Sequence, residues 1–209
     1  MRSGKCFHFN QPIMQTLIFA TNNAHKVQEI RAILNNRYDI ISLREAGIDI
    51  DIPEPHHTLE ENAREKSMVI NQLTGRNCFS EDTGLEVWAL HGAPGVKSAR
   101  YAGPEQDFAK NVGLLLTNMQ DKTDRRARFR TVISLLLDGR EYQFEGTCEG
   151  EITLEASGNS GFGYDPVFIP DGSDRTFAEM SLEEKNKFSH RKKATALLAD
   201  FLKQYYGKD

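Results

Sequence analysis

The dipeptide Asp138-Gly139, set between two long runs rich in β-branched and aromatic residues, constrains the fold of this chain more than any other feature. Asp-Gly suits a two-residue turn with positive φ at both positions, whose twist matches that of the strands it joins. The runs Ala127–Leu137 and Glu141–Gly150 are therefore expected to pair as a long antiparallel hairpin. Elsewhere short apolar runs alternate with helical periodicity. A strand at Thr16–Ala20 leads through a polar turn, Thr21–Asn23, into a helix on which Val27, Ile30, Ile33 and Leu34 share a face. A second strand is expected at Asp39–Ser42 and a Pro-broken acidic loop at Ile50–His57. Thr58, with Glu61 three residues on, has the pattern of a capping box. A short strand from Asn77 enters SEDTG, a Gly/Pro-rich turn covers Gly92–Gly95, and a helix is expected over Glu105–Met119. Ser181, with Glu184, and Ser189 cap two last helices, the final one running through Tyr205. Strands alternating with helices around a long hairpin define an α/β fold: a mixed, twisted sheet with flanking helices.

With 209 residues, 39% of them hydrophobic, the chain suffices for one large domain or two small lobes around a shared core. No apolar run approaches the ~20 residues that span a bilayer, and the first 15 residues, interrupted by Pro12, lack the apolar centre of a signal peptide. A cytoplasmic location and no membrane partner are expected. Residues 1–14 show no periodicity and are expected to be a disordered extension, leaving residues 15–209 as the domain. Cys6, Cys78 and Cys148 are an odd number at no metal-ligand spacing, so they read as plain thiols, two of them in core strands. A net charge of -4 argues against an extended nucleic-acid groove, and the basic run Arg125–Arg130 reads as a solvated face.

Residues 161–191, GFGYDPVFIPDGSDRTFAEMSLEEKNKFSHR, combine glycines, aromatics, an acid and three cationic side chains. Phe162 between Gly161 and Gly163 offers a flat face for a base, and Lys185, His190 and Arg191 supply donors, so the stretch fits a planar, anionic ligand. A turn followed by an ordinary capped helix is the blander alternative. Near the start, TNNAHK places Thr21, Asn22, Asn23 and Lys26 at a helix N-terminus, where free N–H groups favour an anion, although Thr and Asn are also ordinary N-caps. His25 is either an added phosphate donor or, more simply, an exposed surface histidine. The acids are Glu81, Asp82 and, on the Pro-rich loop, Glu54. Adjacent acids at a strand end point to opposite sides, so at most one of Glu81 and Asp82 is expected to enter a given site.

Three stretches, IFATNNAHKVQEIRAIL, FSEDTGLEVWALHGAPGVKSARYAG and the one at 161–191, together resemble the inosine triphosphate pyrophosphatase family, in family order from about Gln15 to Tyr206. The resemblance implies two lobes around a central cleft, a homodimer, and Mg²⁺-dependent hydrolysis of dITP, ITP and XTP to monophosphate and pyrophosphate. It implies that the loop Thr21, Asn22, Asn23, Ala24, His25, Lys26 holds the triphosphate, with Lys66 also reaching the phosphates. Asp82 becomes the general base and a metal-associated carboxylate, Glu54 the matching metal ligand, and Thr83 a substrate contact. Base recognition falls to Phe162, Gly163, Tyr164, Asp165, Lys185, His190 and Arg191. The chain departs from the family pattern at Asn22, His25 and Glu81. Arg100, in SARYAG, is an added cation near the cleft, or else this stretch builds structure or the dimer interface, which fits Tyr101 better. The rivals are a phosphohydrolase of broader preference, a nucleotide sensor without turnover, and a nucleic-acid-binding module.

Overall fold

In the computed structural model, which describes residues 15–34 and 37–207, a seven-stranded mixed sheet carries helices on both faces. The expected extension at 1–14, with Cys6, lies outside the described residues. The sheet order is β2 (Asp39–Ser42), β1 (Thr16–Phe19), β3 (Cys78–Val87), β5 (Arg126–Leu137), β6 (Arg140–Ile152), β7 (Phe168–Pro170), with β4 (Pro94–Gly95) also paired to β3. β1 is parallel to β2 and β3, whereas β5, β6 and β7 follow one another antiparallel. The helices are α1 (Ala24–Leu34), α2 (Leu59–Thr74), α3 (Phe108–Asn118), α4 (Leu182–Lys185) and α5 (His190–Tyr206). None of the helices among the described residues is long and apolar enough to cross a membrane.

The hairpin forms as its turn chemistry dictates. Asp138 and Gly139 both adopt positive φ, 49° and 77°, so Leu137 pairs directly with Arg140 and the register runs unbroken to Arg126 opposite Glu151. Alternation along β1 sends Leu17 and Phe19 toward α1 and α5, in a cluster with Ile30, Leu34, Leu198 and Leu202. Ile18 faces the other way, toward Ile70 of α2 and Cys78. A third cluster lies farther along the sheet, where Leu85, Phe129, Phe168 and Phe177 meet Leu115 and Met119. Each fully buried Leu, Ile or Phe contributes about 1.5–3 kcal/mol relative to its exposed state, so these clusters fix the sheet between its helix layers.

Several local expectations shift. Thr58 does cap α2, accepting from Glu61 N, but Glu61 accepts from the Thr58 hydroxyl (2.8 Å) instead of completing the reciprocal box. Ser181 and Glu184 make the full box, and Ser189 caps α5. The run Arg125–Arg130 is not a free basic face. Arg128 and Arg130 pair with Glu86, Arg130 also with Glu60 and Glu145, and Arg125 is bound to the backbone carbonyls of Met119, Ile152 and Thr153. Arg128 and Arg130 sit across a strand or helix from acids that sequence separation hides, whereas Arg126 pairs with nearby Asp124. Cys78 and Cys148 are buried free thiols, as expected, and burial pushes both up to about 12.

Candidate active site

A cleft opens where two strands part. β1 pairs with β3 only at Cys78 and Phe79, and from Ser80 to Gly84 β3 is paired with β5 alone before β4 joins it at Leu85. The loop after β1 and the Ser80–Thr83 stretch of β3 therefore face each other across a gap at the carboxyl end of the parallel strands, where ligands bind in open α/β sheets. The gap encloses about 470 Å³, inside the usual range for small-ligand sites. Its lining includes Thr21, Asn22, Asn23, Lys26, Glu54, Lys66, Glu81, Asp82, Thr83, Arg100, Phe108, Phe162 and Arg191.

Both acids of Glu81-Asp82 enter it, which corrects the expectation that only one would. They sit in the middle of β3, not at its end, and the cleft reaches around both sides of the strand. Their side chains do diverge, and each meets a different cation. Glu81 takes a two-point contact from Arg191 (Nε to Oε2 2.7 Å, Nη2 to Oε1 2.8 Å) and a third from Lys26 (3.1 Å). Burial pushes its carboxyl up, but Arg191 and Lys26 outweigh that and hold it far below the usual range. Arg191 also donates to Glu29, whose other oxygen accepts from Lys185 (2.8 Å), and Lys185 reaches Asp165 (2.7 Å). This chain of buried charges ties α1, β3, the glycine loop, α4 and α5 together. Charges so buried persist only in pairs, and here each finds one.

Asp82 belongs to a second group. Its Oδ1 accepts from Lys66 (3.0 Å), and the same ammonium donates to Glu54 Oε1 (2.7 Å). Arg100 caps the other oxygen of Glu54 (2.7 Å). For Glu54 burial raises the pKa, yet Lys66, Arg100 and Lys26 hold it at about 2. Asp82 moves the other way: burial raises it, Lys66 opposes, and the neighbouring Glu54 adds to the rise. Asp82 Oδ2 is buried with no hydrogen-bond partner. A buried, unpaired carboxylate oxygen costs free energy unless something arrives to meet it, so this atom marks where a water or a cation belongs.

At the far end the backbone bends back on itself. Gly161 has φ +75°, and a Cβ there would lie 2.0 Å from Asp165 Oδ2, so glycine alone lets that carboxylate accept from Phe162 N (2.9 Å) and Lys185 together. Phe162 lies within 5.3 Å of Lys185 Nζ and 5.6 Å of the Arg191 guanidinium. His190 is fully buried, stacked on Phe129 at 4.6 Å with Nδ1 unpartnered; burial, then Arg191 and Lys185, push its pKa well below the usual value.

Not every candidate faces the cleft freely. Asn23 caps α1, its Oδ1 accepting from His25 N (3.0 Å) and Lys26 N (3.2 Å), Asn22 Oδ1 accepts from Arg44 N (2.9 Å), and Thr21 Oγ1 accepts from Asn23 N (3.2 Å). Tyr164 gives its hydroxyl to Ser98 O (2.9 Å), and Thr83 shares one with Thr131 (2.6 Å). Ala24 and His25 are not in the lining. His25 is nevertheless no idle surface residue, because its ring stacks on Phe162 at 5.1 Å and 16°. Arg100 proves to line the cleft, whereas Tyr101 is structural, accepting from Asn118 (2.8 Å). Glu29 and Phe108 escaped sequence reasoning. The signal for Glu29 was an acid flanking the apolar stripe of α1; Phe108, 6.0 Å from Phe162, gave none.

A mixed sheet opening onto a polar cleft of paired acids and cations defines an α/β protein with a built site for a charged small ligand. The chain belongs to the Ham1 family, whose model matches residues 17–201. It is 51% identical over 190 residues to the dITP/XTP pyrophosphatase of Porphyromonas gingivalis, covering 90% of this chain and 98% of that one. To the dITP/XTP pyrophosphatase of Flavobacterium psychrophilum it is 48% identical over 187 residues, covering 90% and 98%. Among solved structures, the Staphylococcus aureus Ham1 protein superposes with a TM-score of 0.83 at 39% identity over 91% of this chain and 100% of that one. A HAM1 protein from Coxiella burnetii gives 0.83 at 35% identity over the same shares.

Proposed function

We propose that this protein hydrolyses the non-standard purine nucleotides dITP, ITP and XTP to the monophosphate and pyrophosphate, removing deaminated purines from the nucleotide pool. The observation that carries the mechanism is the unpartnered, buried Oδ2 of Asp82 beside Lys66. A carboxylate with a raised pKa and a free oxygen can hold a water and take its proton, the task of a general base. The activated water attacks the α-phosphorus; the bond from that phosphorus to the bridging oxygen breaks, and pyrophosphate leaves. Lys66 and Lys26, placed on either side of β3, face the charge that develops on the phosphoryl oxygens.

Among the described residues no cluster of three or more His, Cys, Asp or Glu forms a closed metal cage. Mg²⁺ needs none, since it keeps several waters and takes one or two carboxylates plus substrate phosphates. Asp82 and Glu54, both in contact with Lys66 Nζ, supply such a pair, and the unmatched Asp82 oxygen fits a hard cation. When bound there, the cation supplies charge neutralisation of the polyphosphate.

For the base, Phe162 provides the stacking surface, while Arg191 and main-chain N–H groups are donors suited to a 6-oxo group. The 6-amino group of adenine would leave such buried donors unsatisfied, which can be worth orders of magnitude in selectivity. The same reading makes residues 15–209 one two-lobed unit, acting in the cytoplasm as a homodimer; light scattering in solution tests the assembly.

The decisive experiment measures products from dITP, XTP, dGTP and dATP with and without Mg²⁺. Metal-dependent pyrophosphate from dITP and XTP, with little from dGTP or dATP, is expected. Orthophosphate as first product, or tight binding with no product, refutes the proposal. Asp82→Asn is expected to abolish turnover while nucleotide still binds, and an active variant removes Asp82 from the role of base.

A further inference from the structure

We propose that Arg100 is a substrate-contacting residue of this cleft, a cation that neutralises Glu54 in the free protein and passes to the departing pyrophosphate once nucleotide and divalent cation enter. The inference rests on the function proposed above, and goes beyond it in assigning the residue that meets the leaving group.

Its base is rigid and its arm is not. Arg100 ends a 3₁₀ turn, Ser98–Arg100, that is pinned from three sides. Ser98 Oγ accepts from Leu85 N (2.8 Å) and donates to Gly95 O (2.6 Å), Tyr164 donates to Ser98 O (2.9 Å), and Asn111 donates to Ala99 O (2.9 Å) while accepting from Ala102 N (2.7 Å). The Arg100 side chain, by contrast, is 40% exposed, and its recorded side-chain contact is with Glu54. An ion pair that exposed contributes about 0–1 kcal/mol, so stability gives little reason for it and exchanging it costs little.

The pairing pattern singles this cation out. Lys185 and Arg191 are buried among Glu29, Asp165 and Glu81, and Lys26, also paired with Glu81, is 18% exposed, against 40% for Arg100. Glu54 has a cation on each oxygen, Lys66 on Oε1 and Arg100 on Oε2. A divalent cation arriving at Glu54 meets repulsion from both of these charges, and the arrangement relaxes most readily when the more weakly held partner moves away. Lys66 is 9% exposed and also bound to Asp82, so Arg100 is the partner that yields. Released, its guanidinium remains in the cleft wall, presenting a planar fork of N–H donors that matches phosphoryl oxygens.

The test compares wild type, Arg100→Ala and Arg100→Lys in three readouts: Mn²⁺ affinity without nucleotide by electron paramagnetic resonance, affinity for inorganic pyrophosphate with Mg²⁺ by calorimetry, and kcat and KM on dITP. Arg100→Ala is expected to bind Mn²⁺ at least as tightly as wild type, because a competitor for Glu54 is gone. It should bind pyrophosphate roughly tenfold to hundredfold more weakly, the range for one lost charged hydrogen bond, with kcat/KM falling at least as far. Arg100→Lys should recover part of the pyrophosphate affinity. Unchanged pyrophosphate affinity in Arg100→Ala, or weaker Mn²⁺ binding, overturns the proposal, since Arg100 would then merely brace Glu54. Should Arg100→Ala not fold, Arg100→Lys decides, with unchanged kcat and pyrophosphate affinity counting against a bidentate guanidinium contact. An inactive Asp82→Asn beside a fully active Arg100→Ala refutes this assignment alone, whereas an active Asp82→Asn refutes the underlying mechanism.

Discussion

Substituting Gly146 by alanine tests how the sheet positions α5, and through it Arg191. Gly146 lies in β6 at ordinary φ, so alanine is conformationally allowed there and, by restricting the unfolded chain, would elsewhere stabilise by about 0.4–1 kcal/mol. Packing reverses the sign. A Cβ at 146 would lie 2.2 Å from His190 O and 2.5 Å from Ala194 N, both backbone atoms of α5 that cannot rotate away. To restore van der Waals contact near 3.5 Å, the first turn of α5 must retreat by about 1 Å. Arg191 sits in that turn, and its bonds to Glu81 at 2.7 and 2.8 Å would stretch beyond hydrogen-bonding distance. Overpacking costs about 1–3 kcal/mol, and each weakened bond to a charged partner about 1.5–3 kcal/mol. A loss of roughly 4–9 kcal/mol is expected, worth on the order of 8–36 °C in Tm for a chain of this size. Urea unfolding and steady-state kinetics on dITP should show lower stability and a raised KM together. Gly113 provides the control. It lies within α3 with nothing within 4 Å of an added Cβ, so Gly113→Ala should stabilise by about 0.5–1 kcal/mol and leave KM alone. A Gly146→Ala protein within 0.5 kcal/mol of wild type and with its KM would refute the claim that the close approach of β6 and α5 sets the position of Arg191.

Other expectations follow from the same contacts. The pKa of Glu54 is depressed, so its ion pairs stabilise the folded state fully above the unfolded value of about 4.5 and lose that contribution as pH falls toward about 2. The stability gap between wild type and Glu54→Gln should thus be constant from pH 7 to pH 5 and shrink toward pH 2; a gap that widens in acid contradicts the assignment. His25→Ala removes the ring stacked on Phe162 and should raise KM for dITP several-fold with little change in kcat, whereas a kcat effect alone would show that the stack does not touch binding. Tyr164→Phe strips the donor from Ser98 O, a buried bond, and should cost about 1–1.5 kcal/mol in urea unfolding. Cys78 and Cys148 should stay unreactive to a thiol reagent near pH 8 until the chain unfolds, because burial pushes both up to about 12.

The parts of this fold that were legible in the sequence are those decided by neighbours along the chain. Asp138-Gly139 fixed a register of twelve residue pairs because turn geometry propagates down two paired strands. Ser181, Ser189 and Thr58 marked helix starts because a cap bonds an N–H only three residues away. The charged site obeyed a different rule. SEDTG looked like the polar end of a strand, yet it is the buried middle of β3, because Glu81 is neutralised by Arg191, which is 110 residues distant in the chain. Without that partner burial of the carboxylate would be prohibitive, and with it the strand continues to Val87. Glu29 was missed for the same reason, its partners Lys185 and Arg191 lying at the opposite end of the chain. Arg100 was undervalued because its importance depends on what Glu54 already holds. Burial of charge in this protein is therefore a collective property: Glu81 of β3 and Glu29 of α1 can be buried only because α4 and α5 return to them carrying cations. The last turn of that argument runs back to Asp82. It lies between these pairs with one oxygen unmatched, and so is the carboxylate left to act on what enters the cleft.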